Sequence, residues 1–176
     1  MVRRKHIRTL VEKLLAEHRI RSAPVDVSDI ASEMGVEVQE NPAEDELSGF
    51  LYRDRKRNVA VIGVNASHSP ARRNFTTAHE LGHYLLHDFD DVHVDRQFKV
   101  WLRSEVSSQG TDEEEKEANL FAAELLMPAK FIERDVDEIG TIDLMDEEVL
   151  KDLAEKYGVS TQAMTFRLAY LGFIQQ

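Results

Sequence analysis

The chain has 176 residues, 42% hydrophobic and 31% charged, with a formal net charge of −11 and no cysteine. That length suits one compact domain with a core, and the balance suits a globular chain rather than a disordered or membrane one. The negative charge opposes general binding to phosphate backbones, and the lack of cysteine removes disulfides, thiolate nucleophiles and cysteine-based zinc sites.

The basic start, Arg3-Arg4-Lys5, is followed by no apolar signal segment. No apolar run approaches membrane-spanning length, so a soluble cytoplasmic protein is expected. Ile7, Leu10, Val11, Leu14 and Leu15 recur at helical spacing and predict an amphipathic helix with a solvated basic face. Asp26 and Asp29 form a capping pair for a second, short helix carrying Ile30 and Met34, which Gly35 ends. Val36 and Val38 alternate as in a strand. The polar stretch 41–46 reads as a loop, and the runs 50–52 and 59–62 read as a hairpin joined by residues 54–58. A small, mostly antiparallel sheet is expected from these strands.

Residues Ser67 to Ser69 before Pro70 mark a helix start, and from Ala71 to about His87 only Gly82 opposes a helix. Glycine costs about 1 kcal/mol there relative to alanine, which a closely packed neighbour would explain. Residues 88–110, with Trp101, read as irregular and long for a connection. Thr111 with Glu114 forms a capping box for a helix running to Met127, where Pro128 stops it. Residues 133–148 are acidic, contain Gly140 and read as linker and turn. Asp146 then caps one helix, Gly158 ends it, and Ser160 caps another, a helix-turn-helix-like pair. Gln162 and Arg167 could in principle meet DNA bases, but the surrounding acidic charge opposes direct nucleic-acid binding. The chain thus divides into a unit over 1–132 and an acidic linker with a C-terminal helical subdomain over 133–176, packed on it.

The chemistry concentrates in His79-Glu80-Leu81-Gly82-His83. Residues four apart on a helix share a face, so both imidazoles can reach one metal ion while Glu80 holds a water. A catalytic zinc site takes three protein ligands and keeps one position open. Without cysteine, the third ligand is sought among His87, His93 and the acids of 113–117. Glu114 and Glu115 can both point inward, and Glu117 sits nearer the edge. Asn119, four residues beyond Glu115, can hydrogen-bond a ligand histidine. His87 lies one turn further along, about 6 Å by helix rise, and serves as a supporting or substrate-contacting candidate. His6, His18 and His68 read as surface residues.

The block Phe75-Thr76-Thr77-Ala78-His79-Glu80-Leu81-Gly82-His83, with the later block Glu115-Lys116-Glu117-Ala118-Asn119-Leu120-Phe121 running on to Met127-Pro128, resembles the ImmA/IrrE family of metallopeptidases. The resemblance implies a helix-rich α+β, zincin-like fold related to thermolysin-like peptidases. It also implies Zn²⁺ held by His79, His83 and Glu115, with Glu80 as the catalytic acid/base. Tyr84, His87 and His93 are candidates for stabilising an oxyanion. The implied substrate is a regulatory protein, such as a helix-turn-helix repressor or an antitoxin-like partner in bacteria or mobile elements. The other reading is a metal-containing regulator that binds a transcription factor or toxin–antitoxin partner without cutting it. Glu80 weighs against that, but a segment of 88–110 could fill the fourth position. The two-histidine, one-carboxylate set also suits manganese or iron.

Overall fold

The computed structural model describes residues 2–88, 91–95, 112–139 and 146–174. Among them are seven helices and four strands, in the order α1 (Arg4–Glu17), α2 (Val27–Glu33), β1 (Val36–Asn41), β2 (Gly49–Asp54), β3 (Val59–Asn65), α3 (Pro70–Leu86), β4 (Asp91–Asp95), α4 (Asp112–Leu126), α5 (Ala129–Ile139), α6 (Glu147–Tyr157) and α7 (Thr161–Leu171). The fold is helix-rich α+β. Trp101, the expected cap at Thr111 and the turn at Gly140 lie outside the described residues.

Helix α1 buries the expected stripe of Ile7, Val11, Leu14 and Leu15. Asp26 accepts from the Asp29 N–H at 2.9 Å at the start of α2. The sheet is mostly antiparallel, as expected, in the order β1-β3-β2-β4, but β1 runs parallel to β3. Only the β2–β3 and β2–β4 pairs are antiparallel, so the sheet is mixed. Alternation specifies a strand but not its direction; here that is set by the 42–48 crossover. Buried Asn65 staples the crossover, donating to the carbonyls of Glu44 and Leu47 at 2.9 Å each and accepting from the Ala43 N–H at 3.1 Å. His68, expected on the surface, is buried beside Asn65, with Nε2 3.2 Å from the Asp45 carbonyl.

A second correction concerns β4, because part of the segment expected to be irregular is a strand. His93 stands opposite the fully buried Leu51 in the β2–β4 register. Directly opposed residues share a face, so His93 faces inward while Val92 and Val94 are exposed.

Helix α3 begins where Ser69 caps it and Pro70 takes its first turn. It packs against α4 at Gly82: an added Cβ there would lie 3.0 Å from the Phe121 ring and 3.2 Å from Ala118 Cα. The helix-propensity cost at Gly82 therefore has a packing reason. Gly49 plays the same part on the other side, since a Cβ would meet Thr76 at 2.5 Å and Glu80 Cγ at 3.7 Å. The chain thus places α3 between α4 and the start of β2 with no side chain intervening at either crossing.

The segment 133–139, expected as linker, belongs to α5. Its acids at 133, 137 and 138 are exposed, while Ile132, Asp135 and Val136 are buried at helical spacing. Acid density concealed this stripe. Burial raises the Asp135 carboxyl, but hydrogen bonds from Lys156, Tyr157 and Arg134 outweigh it and leave the group below its ordinary value. The terminal pair matches its caps: Asp146 and Ser160 accept main-chain N–H groups, and Gly158 ends α6 at φ 64°.

Arg167 does not reach outward to a nucleic acid. It is buried, donating to Glu124 at 2.7 Å and 3.2 Å and to the Met127 carbonyl at 2.9 Å. No helix among the described residues is long and apolar enough to cross a membrane.

Candidate metal centre

One turn of α3 separates His79 from His83, and their Nε2 atoms come within 3.0 Å of each other. From α4, Glu115 reaches across the Gly82 crossing, its oxygens 3.3 Å from His79 Nε2 and 3.2 Å from His83 Nε2. From β4, His93 places Nε2 3.3 Å from the same carboxylate, with its ring 4.0 Å from that of His83. One donor atom from each of these four residues can be chosen so that all lie within 4.8 Å of one another. Ligands about 2.0–2.1 Å from a tetrahedral zinc are about 3.3–3.4 Å apart, so the spacing fits such an ion.

Proton placement agrees with the spacing. His79 Nδ1 lies 3.1 Å from Asn119 Oδ1; an N–H donated there leaves Nε2 bare. His83 Nδ1 lies 3.0 Å from His87 Nδ1, and His87 Nε2 lies 3.3 Å from a Glu117 oxygen. If His87 donates to Glu117, its Nδ1 accepts from His83, and His83 Nε2 is bare as well. Two bare nitrogens and a carboxylate turned to one point repel each other unless a cation lies between them.

The electrostatics point the same way. Burial lowers the His83 imidazole to about 4, which keeps it neutral and ligand-competent near pH 7. Hydrogen bonding with Arg3 lowers the Glu117 carboxyl to about 2.

Of the candidates read from the sequence, His79, His83, Glu115 and His93 form the cluster, while Asn119 and His87 back it. Glu80 is fully buried next to His79. The Tyr84 ring lies under the Arg53 guanidinium, 4.7 Å from its centroid. Glu117, expected nearer an edge, and Arg3, expected on a solvated face, form an ion pair at 2.6 Å. A signal for Glu117 was available, since it lies four residues before the core residue Phe121.

The peptidase M78 family model, described as an IrrE N-terminal-like domain, matches residues 31–169. An "Uncharacterized immunity region protein 2" of Bacillus phage phi105 is 30% identical over 157 residues, covering 85% of this chain and 90% of that protein. The "Radiation response metalloprotease IrrE" of Deinococcus deserti is 33% identical over 110 residues, covering 62% of this chain but 36% of that protein. A solved "Mycobacterium tuberculosis transcriptional regulator" superposes with a TM-score of 0.60 at 16% identity, covering 94% of this chain and 46% of the other, a likeness of fold. The candidate metal site, the α+β fold and the match over most of its length together show that this chain belongs to the peptidase M78, IrrE N-terminal-like family.

Proposed function

We propose that this protein is a zinc-dependent endopeptidase that cuts a regulatory protein. The observation that carries the reading is the fully buried Glu80, next to His79 in a set of convergent metal donors. His79, His83 and Glu115 would hold the ion. A zinc ion held there supplies Lewis-acid activation of water and of the scissile carbonyl. Glu80 takes the proton of the attacking water on a carboxylate oxygen and delivers it to the departing amide nitrogen. Asn119 holds the His79 ring in the ligating tautomer. Among the described residues β4 is an outer strand of the sheet, and an extended substrate segment can add to such an edge through main-chain hydrogen bonds.

The relatives and the charge support one substrate class. One relative belongs to a phage immunity region and another is a radiation-response metalloprotease, so a repressor- or antitoxin-like partner with a basic, DNA-binding surface suits a chain of charge −11. The test is incubation of the zinc-loaded protein with the regulator encoded beside it, followed by mass spectrometry of the products. Glu80→Gln, folded and loaded equally, is expected to cut 10²–10⁴-fold more slowly, the usual range of ~10²–10⁴ for a proton-transfer group. Wild-type rates in that variant sink the reading.

His93 supports a second reading. With His93 as a fourth protein ligand the site is closed, as structural zinc sites are. The protein would then bind a transcription regulator or toxin–antitoxin partner without cutting it. A stable complex without fragments, in the presence of zinc, favours this second function.

A further inference from the structure

We infer that Arg3 and Glu117 are positioning residues for the metal ligand His83, acting through His87. This rests on the reading of the cluster as a metal site. A histidine ligates through one ring nitrogen only if the other holds the proton, and a carboxylate or carbonyl partner usually fixes that choice. His79 has such a partner directly in Asn119. His83 does not, because its Nδ1 faces a second imidazole, His87. Imidazole either donates or accepts at a given nitrogen, so His87 by itself leaves the tautomer of His83 undecided.

The decision is made one residue further out. Glu117 Oε2 lies 3.3 Å from His87 Nε2, and an ionised carboxylate only accepts. His87 must then carry its proton on Nε2, which leaves its Nδ1 to accept from His83 and bares His83 Nε2. Arg3 fixes the carboxylate in turn. Its main-chain N–H donates to Glu117 Oε1 at 2.7 Å, and its guanidinium donates at 3.0 Å to Oε1 and 2.6 Å to Oε2. The same guanidinium donates to the Leu86 carbonyl at 3.0 Å in the last turn of α3. His87 and Glu117 are buried, so water offers little competition for these bonds. The residue preceding α1 thus reaches the metal ligand through an Arg–Glu–His–His chain.

The test uses zinc-loaded protein with ¹⁵N-labelled histidine, together with zinc affinity by chelator competition. The wild type is expected to show His87 protonated on Nε2 and a slowly exchanging Nδ1–H on His83. Glu117→Gln is expected to lose that slow exchange and weaken zinc about 10–100-fold, the usual effect of removing such a partner. Arg3→Ala should shift both readouts the same way by less. A merely structural clasp would lower the melting temperature of both variants while leaving zinc affinity and the His83 signal at wild-type values, and that result overturns the inference. A wild type with His87 protonated on Nδ1 overturns it without any variant. If the wild type takes up no zinc, the metal reading fails instead, and the His87 tautomer in the metal-free protein still decides the order of the chain.

Discussion

Helix α4 carries a carboxylate cluster at each end, and the two do opposite things. At its C-terminal end Glu124 meets Arg167 through two hydrogen bonds, and Arg8 approaches at 3.4 Å. Donors and acceptors there satisfy one another. At its N-terminal half Glu115 meets three imidazoles, and the proton pattern of two of them leaves bare nitrogens facing the carboxylate. That set is complete only with a cation. Burial of charge is therefore no guide to a site; what matters is whether the partners use each other up. The Glu124 pair holds α7 to α4, and the Glu115 cluster is organised to hold something else.

The comparison can be broken most sharply at Arg167. Arg167→Ala strands Glu124 as a buried charge, and breaking such a pair costs about 3–5 kcal/mol. Urea or thermal unfolding should show that loss, while the folded fraction binds zinc with wild-type affinity; a large drop in zinc affinity would merge the two clusters into one unit. Gly82→Ala is expected to do the reverse. Overpacking costs about 1–3 kcal/mol against about 1 kcal/mol gained in helix propensity, for a net loss of roughly 1 kcal/mol. The Ala118 backbone cannot yield cheaply, so α4 must back away from α3 and carry Glu115 with it. Zinc affinity should fall more than stability does, and an unchanged affinity would remove Gly82 from the site's construction. The smallest effect is expected at Arg8, which is half exposed. Arg8→Ala should cost less than about 1 kcal/mol, as exposed ion pairs do, and a larger loss would mean that Glu124 depends on both arginines.

Local chemistry was legible and long-range partnership was not. The Ser69–Pro70 start, the Asp146 and Ser160 caps and the Gly158 stop follow from side chains acting on the nearest turn of backbone. Segment 133–139 reads as linker because its exposed acids outweigh the stripe of Ile132, Asp135 and Val136, whose spacing is helical. For Arg167 the acidic charge around it already opposed contact with DNA, but its buried partner was not legible. An arginine on a turn-linked helix pair has the same sequence signature whether it faces DNA or a buried glutamate, and only Glu124, 43 positions away, separates the cases.

The sequence by itself determined that His79 and His83 share one face of a helix, because that follows from 3.6 residues per turn and nothing distant. It also determined which residue types could join them. Only the tertiary structure decided that Glu115 faces both histidines, that His93 joins from a strand, and that Glu117 and Arg3 stand behind His87. Those partners depend on where α4, β4 and the residue before α1 meet α3. The α4 approach is set by the absence of a side chain at Gly82 and the β2 approach by its absence at Gly49. Such contacts form between residues far apart in the chain, where periodicity carries no information.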